Sequence, residues 1–518
     1  MRRSLLFIVL KAVLMCLSAQ NVTIDTSLKH QVIDGFGASD CWTVQYVGKY
    51  WSLKEKEKAA EFLFSREFDN DGNPKGIGLS IWRFNVGGGT MEQGDSSNLN
   101  TDITRRAECF LGEDGRYDWD KQIGQQWFLA KAAEHGCKSF VAFSNTPPVY
   151  MTRNGKGYAS KDGVSNLQPD RYDDFANFLV NVVSKLEKKH NIKFDYISPV
   201  NEPQWDWSAT YQEGSPWQNR EIKRVVKSLD KAIRRKKLDS KILITEAGSW
   251  DNLYEQRNRA SNQIYEFFNE ASSNYIGDVK TLRKEICGHS YWTDNNHQRI
   301  KDVRQQVYHE ASKYGLKLIQ SEWSLLSNTP LEGFPETYDK ATYMDIALFM
   351  SKIIYADLAY ANVSSWSFWT SMDIELWGFK NRFNLLRLHT PKGDVNSIVD
   401  GGYVSSLKTL WTLGNFSRFI KPGYIRIGMS GCDDLGGLMA TSYMSPDQNE
   451  IVSVYINMNN MVYNLNLESD ILPKVNECTY YITDDNNDLS CKNKSVDGIN
   501  MVKLTPKSVT TIVYKLKR

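Results

Sequence analysis

Eight short apolar runs, separated by stretches of helical periodicity, constrain this chain more than any other feature. The runs are Val32–Gly37, Gly78–Asn85, Ser139–Ser144, Phe194–Pro199, Lys241–Glu246, Ile286–Tyr291, Leu316–Glu322 and Ala361–Trp369. Between them apolar residues recur at spacings of three and four, most clearly over Trp119–His135, Tyr172–His190, Glu221–Arg235, Val303–Tyr314 and Thr342–Tyr360. Strands that are apolar almost throughout are buried on both faces, so eight such strand-helix units predict a closed α/β architecture, a (β/α)8 TIM barrel over residues 31–422. Past Phe419-Ile420-Lys421-Pro422-Gly423 the pattern changes to short alternating strands, as in Ile451–Asn457, Cys478–Ile482 and Ser508–Leu516, broken by Asn, Asp and Gly. This predicts a C-terminal β-sandwich over residues 423–518. Val22–Asp25 precedes the barrel and has no place in it. Residues 20–30 are therefore expected to supply an N-terminal strand that completes the sandwich.

Lys+Arg 63 against Asp+Glu 61 leaves a net charge of +2, so no bulk field attracts a polyanion and nucleic acid is not an expected partner. The chain is rich in rings, with 15 Trp, 26 Tyr and 22 Phe, and planar rings stack on sugar faces; carbohydrate is the ligand class this composition favours. Met1-Arg2-Arg3-Ser4, the apolar stretch Leu5–Leu17 and the small pair Ser18-Ala19 have the layout of a signal peptide over residues 1–19. A secreted or periplasmic protein, monomeric and with no membrane span after cleavage, is expected. Beyond the leader, Cys41, Cys109, Cys137, Cys287, Cys432, Cys478 and Cys491 form no CxxC pair and no zinc spacing with histidine. No metal and no organic cofactor are expected. Cys478 and Cys491 flank a hairpin, where they can either bridge or remain buried thiols. Gly87-Gly88-Gly89 lacks the strand-glycine-helix order of a nucleotide fingerprint.

In a barrel of this kind the loops after the strands build the site. Those positions hold Trp42 after the first strand, Arg83 in the second, Asn145 after the third, and Asn201 and Glu202 after the fourth. Glu246 ends the fifth strand, His289, Tyr291 and Trp292 the sixth, Glu322 and Trp323 the seventh, and Trp369 the eighth. Strands four and seven face each other across an eight-membered ring, so Glu202 and Glu322 both reach the mouth. Glycoside hydrolysis needs such a pair, one carboxyl to protonate the leaving oxygen and one to attack the sugar or activate water. The Asn201 amide can bind a hydroxyl beside the reacting carbon, and Asn145 can bind another. Arg83 can keep a nearby carboxylate ionised. His289 and Tyr291 can hydrogen-bond Glu322 or a sugar hydroxyl, and Glu246 stands beside the chemistry without performing it. Trp42, Trp205, Trp292, Trp323 and Trp369 surround the mouth as possible stacking platforms.

At these residues the chain resembles glycoside hydrolase family 30. The likeness rests on Asp34-Gly35-Phe36-Gly37-Ala38, Arg83-Phe84-Asn85, Ser144-Asn145-Thr146-Pro147-Pro148, Asn201-Glu202-Pro203-Gln204 and the closing segment from Asn415 to Gly423, and it spans residues 22 to 518. Through Asn201–Trp207, Gln212-Glu213-Gly214-Ser215-Pro216 and Glu246-Ala247-Gly248-Ser249 it leans toward the family's endo-β-1,6-galactanases. The chain departs from the pattern at Val149-Tyr150-Met151, where relatives often carry Trp. The resemblance implies a retaining β-glycosidase with Glu202 as acid/base and Glu322 as nucleophile. The implied substrate is β-1,6-galactan, with β-1,6-glucan, xylan and glucosylceramide as the alternatives. A catalytically silent carbohydrate-binding protein is the non-enzymatic alternative, and the presence of both glutamates argues against it.

Overall fold

The computed structural model describes residues 19–99, 102–257, 259–375, 382–494 and 499–517. All of the expected leader except its last residue lies outside them. The eight parallel barrel strands are Gly35–Ser39, Ile81–Asn85, Ser139–Phe143, Tyr196–Ser198, Lys241–Ile242, Glu285–His289, Lys317–Trp323 and Ser365–Phe368. They hydrogen-bond in the order five, four, three, two, one, eight, seven, six. The ring closes between strands five and six through Cys287 N to Ile244 O (2.7 Å), Thr245 N to Cys287 O (3.3 Å) and His289 N to Ala247 O (2.7 Å). Along the axis Ile81, Val141, Tyr196, Leu243, Cys287 and Ile319 pack into one buried cluster. That layer makes the barrel a filled core rather than a pore.

The helices lie where the periodicity places them, including Ile123–Glu134, Tyr172–His190, Asn219–Lys236, His297–Lys313 and Tyr343–Ala359. The last begins with a reciprocal cap between Thr342 and Asp345, and every residue from Ile346 to Leu358 is buried because the helix lies between barrel and sandwich. Its Asp357 is a buried hub. It accepts hydrogen bonds from Trp250 Nε1 (3.0 Å), Ser290 Oγ (2.9 Å), Arg304 Nε (2.7 Å) and Trp366 Nε1 (3.0 Å), which tie the eighth barrel strand and three neighbouring segments to the helix.

The N-terminal strand runs Gln20–Val32, longer than expected, and the first barrel strand begins only at Gly35. Gly35 has φ +144°, so the chain turns there instead of continuing extended from Val32. The strand pairs antiparallel with Ile425–Ser430 and parallel with Tyr463–Glu468, inside one nine-stranded sheet. One face of that sheet packs Val22, Ile24, Ile427, Tyr455, Cys478 and Tyr514 into a core of its own. The other presents Tyr443, Val452, Val454, Val509 and Val513 to the barrel's core. The same division separates the two hairpin cysteines. Cys478 belongs to the first core and Cys491, opposite Tyr481, to the second, so the thiols lie on opposite faces and both are free. The long loop after the eighth barrel strand holds a small sheet of Met372–Ile374, Leu386–His389 and Tyr403–Ser406, which the sequence pattern did not announce.

Candidate active site

The carboxyl-terminal end of the barrel strands brings together Arg83, Glu202, Glu246, His289 and Glu322, all buried. Glu202 and Glu246 follow short strands and both adopt left-handed backbone, φ +42° and +50°. A non-glycine residue holds that conformation only where its surroundings enforce it. Here Glu202 N donates to Glu246 O at 2.8 Å, locking the fourth and fifth loops together. His289 stands between the carboxylates, with Nδ1 2.9 Å from Glu202 Oε1 and 3.5 Å from Glu322 Oε1, and Nε2 3.1 Å from Glu246 Oε2. Arg83 donates to Glu322 Oε2 at 3.0 Å and lies 3.4 Å from Glu246 Oε2, while Tyr291 donates its hydroxyl to Glu322 Oε1 at 3.2 Å.

These distances set the charges. Burial alone disfavours the Glu246 carboxylate, but Arg83, His289 and the Ser321 hydroxyl bring it down to about 2. Burial likewise disfavours the His289 imidazolium, yet Glu322, Glu202 and Glu246 together carry it up to about 10. Glu322 is raised by burial, with His289 and Arg83 opposing and the neighbouring Glu202 charge adding to the rise. Glu322 thus faces two cations, Arg83 and His289, and accepts hydrogen bonds from Arg83 and Tyr291.

One carboxylate oxygen of Glu202, one of Glu322 and a ring nitrogen of His289 lie within 4.8 Å of one another, a spacing a metal ion could bridge. The donor set does not favour one. Both ring nitrogens of His289 already face carboxylates, the imidazole holds its proton well above neutrality, and the Arg83 guanidinium occupies Glu322. This arrangement suits proton transfer between carboxyl groups.

The remaining residues named from sequence divide by burial. Asn145 and Asn201 reach the mouth, each with a buried amide oxygen that has no partner among the described residues. Trp205 and Trp292 are 41 % exposed and meet edge to face at 4.9 Å beside Glu202. Trp42 meets Trp369 in the same manner at 5.1 Å, and Arg105 covers it at 4.6 Å. Trp323 does not fit the expectation of a stacking platform. It is fully buried and packs on Trp366 at 6.1 Å, because the next position along a strand points to the opposite face from Glu322 and so into the helix layer.

Several supports were not among the site residues named from sequence. Glu213 is fully buried and accepts from Gly88 N (2.9 Å), Thr90 N (3.2 Å) and Thr90 Oγ1 (2.7 Å), fastening the glycine loop to the loop after strand four. Burial pushes it up to about 7 against those bonds. Asp40, at the end of the first strand, is also driven to about 7 by burial although it accepts from Asn85 N at 2.8 Å. Ser321 donates to Glu246, and Ser39 accepts from Arg83 Nη1 at 2.6 Å. Such contacts join residues distant in sequence, and only the closed barrel makes them neighbours.

Comparison with known proteins gives concordant results. An endo-β-1,6-galactanase of Hypocrea rufa is 24 % identical over 388 residues, 72 % of each chain. A conserved exported protein from Bacteroides fragilis superimposes with a TM-score of 0.88 at 32 % identity, covering 95 % of this chain and all of the other. The catalytic domain of the family 30 xylanase C from Talaromyces cellulolyticus shares the fold with a TM-score of 0.67 at 20 % identity, over 96 % of this chain and 100 % of that one. The model of O-glycosyl hydrolase family 30 matches residues 19–380, which include the entire carboxylate cluster, and the chain belongs to that family of O-glycoside hydrolases.

Proposed function

We propose that the protein is a retaining glycosidase that acts within β-1,6-linked galactan, such as the side chains of plant arabinogalactan. The observation that carries the mechanism is the closeness of Glu202 and Glu322, whose carboxylate oxygens approach within 4.8 Å. Retaining enzymes hold their two carboxyl groups roughly 5 to 5.5 Å apart, whereas inverting ones need roughly 6.5 to 9.5 Å to admit a water between them. Glu322, held by Arg83 and Tyr291, attacks the anomeric carbon while Glu202 gives its proton to the departing oxygen. Glu202 then takes a proton from water, which displaces Glu322 and restores the starting state with the anomeric configuration retained. His289 remains protonated throughout and keeps the negative charge of the cluster compensated. The homologous galactanase supports β-1,6-galactan as substrate. The buried amide oxygens of Asn145 and Asn201 are suited to sugar hydroxyl donors.

Among the described residues no helix is long and apolar enough to cross a membrane. The leader-like N-terminus and the likeness to a conserved exported protein support export to the periplasm or medium. The test is a product profile of the purified protein on β-1,6-galactan, β-1,6-glucan, glucuronoxylan and glucosylceramide, with the first-formed anomer followed by NMR. Short β-1,6-galactooligosaccharides released as the β-anomer are expected. Preference for another glycan overturns the substrate, initial α-product overturns retention, and binding without any cleavage revives the silent binder.

A further inference from the structure

Gly248 follows Glu246 by two residues on the loop after the fifth barrel strand. A β-carbon there would stand 2.8 Å from Trp205 Nε1 and 3.3 Å from Glu202 Oε1. The Gly248 backbone lies outside the left-handed region, so an alanine is conformationally admissible and only space forbids it. The segment is firmly held. Gly248 N donates to Gln204 Oε1 at 3.0 Å, and Gln204 Nε2 donates to Ala260 O at 2.7 Å. An intruding methyl would therefore move a neighbour rather than the loop. Glu202 is pinned by His289 at 2.9 Å and buried, whereas Trp205 is 41 % exposed and supported mainly by the edge of Trp292. Trp205 is the group that yields.

A proton donor must face the glycosidic oxygen it protonates, so rings on the Glu202 loop lie on the side of the departing sugar. We propose that Gly248 is a specificity-determining residue, its missing side chain seating Trp205 against Glu202, with Trp292 behind it, as the platform for the leaving pyranose unit. The ligand class is a neutral sugar stacked by its C–H face. The inference rests on the glycosidase reading above.

The test compares wild type, Gly248→Ala, Trp205→Ala and the double variant on two substrates. One is the best oligosaccharide of the panel, and the other is a nitrophenyl glycoside of the same glycone, whose leaving group is no sugar. Gly248→Ala is expected to lose about tenfold more kcat/KM on the oligosaccharide than on the nitrophenyl glycoside, through KM, with the acid limb of kcat unmoved. In the Trp205→Ala background, which clears the space, the same substitution should cost less than about twofold, and this pair carries the test even if Gly248→Ala alone is unstable. Equal losses on both substrates, a shifted acid limb or multiplicative effects of the two substitutions overturn the inference. A wild type inert on every glycan overturns the functional reading itself, which is a separate result from an active wild type with uncoupled variants.

Discussion

Arg83, His289 and the three glutamates act as one electrostatic unit, since three carboxylates facing two cations leave it one proton from neutrality. Replacing Glu202 or Glu322 by Gln should lower turnover by about 10²- to 10⁴-fold or more with an unchanged circular dichroism spectrum. Azide should restore a Glu202→Ala variant on an activated substrate, because a leaving group that needs no proton bypasses the acid. Near-native activity in both Gln variants would sink the assignment. His289 serves the pair through its charge. Without that cation Glu322 is raised further, so in His289→Gln the acid limb of kcat/KM should move to higher pH, and the pH profile of the variant's kcat/KM reads this directly. Asp40 contributes to stability with the opposite sign from Glu246. Its carboxyl rises from an ordinary 3.8 to about 7 on folding, so the folded state binds the extra proton. Its stabilisation is full below pH 3.8 and lost as pH climbs through 7. Glu213 has the same sign. In Asp40→Asn the fall in Tm across this range should become shallower, as thermal melts at several pH values will show; an unchanged slope refutes the role given to Asp40.

Among the elements, the helix Tyr343–Ala359 packs against both barrel and sandwich, and Asp357 is its buried polar anchor. Removing this carboxylate strands Arg304, which is fully buried, together with two indole N–H groups. An uncompensated buried charge costs about 3–5 kcal/mol, so Asp357→Ala should lower the free energy of unfolding by that amount in urea titration. The double variant Asp357→Ala/Arg304→Ala should cost less than the two single losses summed, since both remove one network. Left-handed backbone at Glu202 and Glu246 shows the same logic in the loops. The strands before them are three and two residues long, and the turns that follow swing two carboxyl groups toward the axis.

At the level of the whole molecule, barrel and sandwich share one continuous apolar core, and the chain enters through the sandwich before it builds the barrel. Deleting residues 424–518 would strip both partners from Gln20–Val32 and bare the helix Lys408–Ser417, whose residues from Thr409 onward are buried. The truncated chain is expected to aggregate on expression, as size-exclusion chromatography will show. A soluble, active monomer of residues 20–423 would overturn this and make the sandwich a detachable module.

The barrel was legible in the sequence because strands buried on both faces must be apolar almost throughout, a pattern that survives without knowledge of contacts. The eight runs marked all eight strands, and Glu202 and Glu322 followed from the rule that the strands' carboxyl ends build the site. The side sandwich was legible in the same way, down to the N-terminal strand that completes it. Tertiary structure decided the rest. The strand alternation that turns Trp323 into the helix layer, the opposite faces of Cys478 and Cys491, and the burial that raises Asp40 and Glu213 all depend on which surfaces meet. The partners of His289 belong to loops 43 or more residues away or to Glu322, 33 residues on, and Gly248 matters only because Trp205 folds over it. Periodicity records which residues leave water; which of them then touch is settled when the ring of strands closes.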